Sequence, residues 1–376
     1  MSSHPLWNHS VAHRLAMLRP GTHRVAYLAP KPDYGTFRYR GFNPTQALRD
    51  HSTTVSASYF FYSDLQIIDN LAEWADTLVV VRAPYDERLD AVYRQFHNVG
   101  KRVFFDIDDL VFDRRFITLV ASSLENELQE GELNQWSAFI NNTGFALGLA
   151  DEVITTNRYL AARISEVVDL PVHVVPNTFN ASQHHASEAV PHVKKPETSG
   201  LRLGYFSGSH SHSLDFDGVA DALRLYLEGS PQSTLTIVGH LDVPETLQSV
   251  SSRITQLPFM DFLDMQSVLA KVDLNIVPLQ SSPFTFCKSE LKYFEAALVH
   301  TPTLASRTPV FESAITEGVT GFLADSGTWL ERLQKIDALG SDARSTVAAS
   351  AKAHALDTYS PTQLAHALEL LFGEQK

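Results

Sequence analysis

The stretch Phe284–Thr308, FTFCKSELKYFEAALVHTPTLASRT, gathers a lysine, a serine, a helix start and a carboxylate into one short span. Leu291, Phe294 and Leu298 recur at helical spacing, which predicts a short helix whose apolar stripe packs on a sheet, with Glu295 on the same face. Ser289 is the expected cap. The first-turn amides near Glu290 and Leu291 would then be donors at the positive end of the helix dipole, where phosphate is readily held. Lys288 adds a mobile cation there, and Glu295 follows about two turns along. The chemistry this allows is an anion grip beside a single acid. An ordinary helix with one awkward acid is the competing reading of these residues alone.

A chain of 376 residues exceeds what one core usually holds, so two domains are expected to position that stretch. The hydrophobic share of 44% and charged share of 19% suit a folded, soluble chain. A net charge of -13 argues against a nucleic-acid partner, and a single cysteine argues against a disulfide framework. A reducing, cytoplasmic location is expected. No run reaches the length of a transmembrane helix, and MSSHPLWNHSVAHRL lacks the apolar core of a signal peptide. Its charge rests mostly on histidines, which suits at most weak peripheral membrane contact.

In the first half, Arg24–Leu28 reads as an opening strand and APKPDYGTFRYRGFNPTQAL as the turn-rich loop after it. In an open α/β sheet ligands are met at such carboxyl ends, so Gly35, Arg38 and Arg40 are candidates to face a phosphate or an acceptor. Surface pairing with acids is the alternative for each arginine. Further strands are expected near Ser56–Tyr62, Thr77–Arg82 and Arg102–Asp106, each short and unalternating as in a parallel sheet covered on both faces. Arg82 closes its strand and should lie at the same edge. The segment KRVFFDIDDLVFD has two readings. Asp106, Asp108 and Asp109 can form an acidic metal cluster, or can sit at a strand end facing a cleft. Residues 116–150 look helical, and Val172–Val175 is a last strand before Pro176-Asn177.

The polar stretch 181–200, NASQHHASEAVPHVKKPETSG from Asn180 onward, lacks apolar periodicity and reads as a linker or exposed loop. Arg202–Phe206 restarts a sheet, followed by small Ser207, Gly208 and Ser209. His210 and His212 with Asp215 resemble part of a zinc site, but no further ligand follows at a useful interval. A loop that offers amides and imidazole donors to phosphate fits better. Strands at Ser233–Val238, Ile254–Leu257 and Leu274–Val277 and helices at 215–228 and 261–271 complete the unit. Gly239 ends one strand edge, and Pro258-Phe259-Met260 is a candidate wall for a base. Pro309–Ile315 and 318–323 read as a closing strand and loop, and Pro361–Phe372 as a terminal amphipathic helix.

VDLNIVPL, the KSELKYFE stretch and TPTLAS together resemble the donor-nucleotide segment of retaining GT-B glycosyltransferases of the family-four-like group, within a bacterial subgroup carrying DIDD. The resemblance covers most of residues 24–372. It implies two Rossmann-like doubly wound α/β domains facing a central cleft. Residues 1–180 would bind the acceptor, with helix 361–376 packing back on them, and 201–360 would bind a nucleotide-sugar donor. In the family a glutamate at the place of Glu295 holds the ribose hydroxyls and the helix amides hold the diphosphate. Transfer to a hydroxyl of a glycan, glycolipid or protein would proceed with retention, without metal or other cofactor. Lys288, Asp106 and Arg38 are the expected catalytic residues. Gly208, Ser209, His210, His212, Gly239, Ser289, Glu290, Leu291 and Glu295 are expected at the donor. Gly35, Arg40, Arg82, Asp108, Asp109 and Asn177 are expected at the acceptor or cleft. The chain departs from the family pattern at three places. Cys287 replaces an earlier glutamate, an Arg/Lys pair is missing after the first strand of the second half, and a histidine is missing near Asp106. A nucleotide-sugar epimerase and a non-catalytic nucleotide-sugar or glycan binder are the alternatives on the same fold.

Overall fold

A computed structural model describes residues 4–33, 35–124, 129–191, 200–208 and 213–373. The chain divides into two compact units. One comprises residues 1–121, 128–180 and 359–376, and the other residues 122–127 and 181–358.

The first unit is built on a six-stranded parallel sheet. Its strands are β1 (His23–Ala29), β2 (Val55–Phe61), β3 (Thr77–Val81), β4 (Arg102–Ile107), β5 (Glu152–Thr155) and β6 (Val172–Val174). They lie in the order β2-β1-β3-β4-β5-β6. Every residue of β2 and β3 is buried, which accounts for their unalternating apolar runs. The second unit repeats the plan with β7 (Arg202–Ser207), β8 (Thr234–Gly239), β9 (Ile254–Leu257), β10 (Leu274–Val277), β11 (Thr303–Ser306) and β12 (Phe322–Ala324). Here the order is β12-β11-β10-β7-β8-β9, again parallel throughout.

In each unit the first strand has neighbours on both sides, so the strand order reverses across it. That reversal makes a crevice at the carboxyl ends of β1 and β3 in one unit, and of β7 and β10 in the other. The same device holds both amino ends. Arg24 on β1 directs its amide, Nε and Nη2 at the Asp76 carboxylate (3.0, 3.0 and 2.8 Å), while the Asp76 amide donates to Arg24 O at 2.7 Å. Arg202 on β7 makes the matching set with Asp273 at 2.9, 3.0, 2.8 and 2.7 Å. At the opposite end of the second sheet, Gly239 adopts φ 98° beside β7. A Cβ there would stand 1.9 Å from Ser207 O, so only glycine fits.

Several elements differ from the sequence expectation. Residues Ala181–Ala189, expected in a linker, form a helix with Gln183 and Ser187 buried, and it packs on helix Phe262–Leu269. Its contacts are polar, so it shows no apolar stripe. Pro309–Ala314 is a helix capped by Thr308 rather than a strand. Arg38–Phe42 is a buried π-helical turn that runs into helix Asn43–His51, which shortens the expected loop after β1. Helices Trp329–Ala338 and Gly340–Thr358 occupy a span to which the sequence pattern assigns no element. The terminal helix Pro361–Gly373 lies within the first unit, against helix Asn43–His51, and Thr54 Oγ1 donates to Glu369 Oε1 at 3.1 Å.

Burial pushes the Asp76 carboxyl upward, but the Arg24 hydrogen bonds and charge outweigh it and hold the group at about 2, below its ordinary 3.8. A depressed carboxyl stabilises the fold above its unfolded value and loses that contribution as pH falls through the folded one. The pair is partly exposed, so solvent screening reduces what the shift contributes. Asp76→Asn is therefore expected to lower first-unit stability by about 1 kcal/mol at neutral pH and to flatten the loss between about pH 4 and 2. Urea melts across that range would check it.

Candidate functional site

At the β7/β10 crevice, helix Leu291–Leu298 starts beside the carboxyl ends of the strands. Asn275 on β10 fixes it there. Its Nδ2 donates to Lys292 O at 3.0 Å and to Thr303 Oγ1 at 3.1 Å, which ties the helix's first turn to β10 and β11. The helix start differs from expectation. Glu290, buried, occupies the N-cap with no side-chain cap bond, whereas Ser282 caps the preceding turn Pro283–Phe286. Ser289 therefore belongs to the connection between two helices. Tyr293 N turns back to Glu290 O at 2.9 Å, and the amides of Leu291 and Lys292 stand at the helix start, where intrahelical acceptors run out.

Glu295 is 4% exposed, and its Oε1 accepts from Gln183 Nε2 at 3.1 Å. Gln183 is fully buried, so the carboxylate is aimed by a side chain from the helix expected to be a linker. Lys288, expected to be mobile, is seated on an aromatic face with Nζ 3.9 Å from the Phe284 ring centroid. Asp215 accepts from Gln280 N at 2.9 Å, and Leu279 N donates to Ser306 Oγ at 2.8 Å, which shapes the loop after β10. Gly208 is exposed with open space around it. His240 and Phe259 stack at 5.8 Å and 11° beside Gly239. Ser209, His210 and His212 lie outside the described residues.

One residue here is not marked by the sequence motifs. Lys292 is half-buried, with Nζ 5.4 Å from the Tyr205 ring centroid. Burial lowers its pKa; Asp215 and Glu295 pull it up, Lys288 pushes it down, and it settles at about 8. The i, i+4 spacing from Lys288 was the available signal.

At the β1/β3 crevice the expected site residues are largely committed to one another. Arg40 and Asp106 are each 2% exposed and form a bidentate pair, Nε to Oδ1 at 2.7 Å and Nη2 to Oδ2 at 3.0 Å. Arg40 Nη1 also donates to Val175 O at 2.8 Å and Asn177 Oδ1 at 3.1 Å. Asp106 thus does not present a carboxylate to a sugar as expected, because both its oxygens are taken by Arg40. Arg40 is correspondingly withdrawn from any ligand. Burial pushes the Asp106 carboxyl up to about 6 against the pull of Arg40, while the same neighbour holds the Arg40 proton more firmly than usual. The bidentate geometry is that of an ionised pair. Arg38 is buried too, stacked on the Tyr39 ring at 4.1 Å.

Arg82 ends β3 with φ 39°, a backbone rarely adopted by a side-chain-bearing residue. Its Nη1 donates to Asp108 Oδ1 at 3.1 Å and lies 4.0 Å from Asp109 Oδ2. Asp109 Oδ1 accepts from Leu110 N at 3.0 Å. Asp33, which no sequence motif singles out, takes the amides of Gly35 and Phe37 on Oδ1 at 2.9 and 3.1 Å. Burial raises its pKa, and Arg82 opposes the shift. Among the described residues no cluster of three or more His, Cys, Asp or Glu is arranged to hold a metal, and no helix is long and apolar enough to cross a membrane.

Residues 202–342 match the sequence profile described as Glycosyl transferases group 1. Comparison with curated protein sequences finds no match. Solved structures with a similar fold include Anabaena Alr3699/HepE in complex with UDP and glucose, at 15% identity, TM-score 0.60, covering 94% of this chain and 100% of that one. A glycosyltransferase from Rickettsia africae superposes at 11% identity and TM-score 0.65, covering 94% and 98% of the two chains. Sucrose-phosphate synthase from Thermosynechococcus elongatus does so at 14% and 0.59, again covering 94% and 98%. The two six-stranded parallel sheets with interleaved helices are those of the GT-B fold.

Removing one partner of a buried ion pair leaves an uncompensated charge. Arg40→Leu is therefore expected to cost about 3 kcal/mol or more of first-unit stability. Asp106→Leu added to it should restore much of that loss. A double variant no more stable than the single one, in chemical denaturation, would show that the pair is not what holds this edge.

Proposed function

We propose that the protein is a glycosyltransferase that binds a nucleotide-sugar on its second unit and transfers the sugar to an acceptor hydroxyl met by the first. The observation that carries this reading is the pairing of the helix start at Leu291 with a Gln183-held Glu295 about one turn along, at the β7/β10 crevice. That arrangement suits a ligand with a diol beside a diphosphate. The match of residues 202–342 to glycosyl transferases group 1 supports the same reading, since it spans this site. UDP bound in the similarly folded Anabaena protein supports a uridine nucleotide as the first donor to try.

In this mechanism the acceptor oxygen bonds to the anomeric carbon as the bond from that carbon to the diphosphate oxygen breaks. The acceptor proton passes to the departing phosphate on the same face, so configuration is retained and no side chain is alkylated. The protein's share is positioning and stabilisation of the charge that gathers on the leaving group. Glu295 accepts from ribose hydroxyls, the amides at Glu290–Lys292 meet the phosphates, and Lys288, seated on Phe284, adds positive charge. Asp108, Asp109 and Asp33 around Arg82 are the acceptors of hydrogen bonds best placed in the first unit for a sugar-bearing acceptor. Asp106 and Arg40 support that edge without touching it.

Deleting a hydrogen bond to a charged group in a buried site costs about 1.5–3 kcal/mol. Glu295→Ala is accordingly expected to weaken UDP binding at least about tenfold by calorimetry. Gln183→Leu should weaken it less, because the carboxylate remains but is no longer aimed. Unchanged affinity in the Glu295 variant would remove the ribose role. If the reading holds, wild-type enzyme releases UDP from a UDP-sugar in the presence of acceptor, whereas a pure binder leaves the donor intact. Transfer is also expected to persist in excess chelator. A complete loss reversed by added magnesium would bring the Asp108-Asp109 segment back as a metal ligand.

A further inference from the structure

Beside the helix start of the second unit stands an ammonium, that of Lys292, which the mechanism above leaves unused. Lys292 stands three residues before Glu295 on helix Leu291–Leu298, so the two share one side of it, and Lys288 lies in the connection just before the helix. The Lys292 Nζ lies 5.4 Å from the centroid of Tyr205, a fully buried ring on β7 beside the strand reversal. The charged groups that face it are Asp215 at the start of helix Ser213–Gly229, and Glu295 and Lys288 from its own stretch. Among the described residues Nζ forms no ion pair and donates no hydrogen bond. Asp215 is engaged by Gln280 N and Glu295 by Gln183.

A half-buried ammonium has three donors to place, and an aromatic face accepts none of them as a full hydrogen bond. A strongly hydrated point charge in that position gains when an anion with several oxygens arrives. Tyr205 meanwhile keeps the lysine stem in place and offers the cation a π face without neutralising it. The same partial desolvation explains why the proton is held loosely, with the pKa drawn down to about 8.

We propose that Lys292 is the cation against which the diphosphate of the donor is seated. The inference rests on the donor assignment made above. With its proton held loosely, part of the free protein carries a neutral Lys292 in mildly alkaline solution. A bound diphosphate favours the charged form and raises its pKa. Affinity is then highest below the free value and declines as pH rises above it.

The test is calorimetric titration of UDP into the full chain near pH 7 and near pH 8, in Tris and in HEPES, whose ionisation enthalpies differ. The expected wild-type result is a net proton uptake on UDP binding that is larger near pH 8 than near pH 7. Lys292→Met keeps the stem over Tyr205 and removes the charge. It should melt like wild type, bind UDP about tenfold more weakly near pH 7, and lose the proton uptake. Lys292→Arg should bind within a few-fold of wild type with no uptake, because guanidinium does not titrate in this range. Wild-type affinity in the Met variant, or uptake that persists in it, would overturn the proposal while leaving the donor site standing. Failure of wild type to bind UDP or any other nucleoside diphosphate would overturn the donor assignment and this inference with it.

Discussion

The Arg–Asp clamp at the amino ends of β1 and β7 is the interaction on which both units depend. Each clamp ties a first strand to the neighbour across which strand order reverses, β3 in one unit and β10 in the other, through four hydrogen bonds of 3.0 Å or less. A slip of one residue would turn every side chain of the strand to the wrong face. With register set at the amino ends, the carboxyl ends are released from that duty. They carry the glycine at 239, the left-handed Arg82 and the helix start at Leu291 instead.

The two carboxyl edges then treat charge differently. In the first unit Arg40 is matched to Asp106 by fork geometry, and its charge is used up inside the protein. Beside the β7/β10 crevice two lysines are set on aromatic rings, Lys288 on Phe284 and Lys292 on Tyr205. A ring holds an ammonium without cancelling its charge. An ammonium held in this way keeps its charge available, which is the property that the proposed diphosphate site relies on.

Strands such as Thr77–Val81 and Arg102–Ile107 were legible in the sequence because their apolar runs are short and continuous, and the helix bearing Glu295 because Leu291, Phe294 and Leu298 mark one face. Helix Ala181–Ala189 was not legible, since it buries Gln183 and Ser187 in place of an apolar stripe. Gln183 acquires its role only through Glu295, 112 residues away. Arg40 and Asp106 illustrate the same limit in reverse. Each looks like a site residue by its place at a strand end, and only the pairing across 66 residues reveals that they satisfy one another. Lys292 was hidden for a related reason: the groups that set its character, Asp215 and Tyr205, come from a different part of the unit.

Cys287 is the departure that would weigh most against a nucleotide-sugar site, because the resemblance leads one to expect a glutamate there. The side chain is fully buried and ends the turn Pro283–Phe286, where a small apolar group packs without cost. A glutamate would instead add a third carboxylate to a segment that already buries Glu290 and Glu295. As it stands, residues 287–295 carry Lys288 and Lys292 against Glu290 and Glu295, and the four formal charges cancel. With an acid at 287 the formal charges of the segment would no longer cancel. Cysteine therefore leaves the segment formally neutral, and spares it the desolvation that a third buried carboxylate would bring.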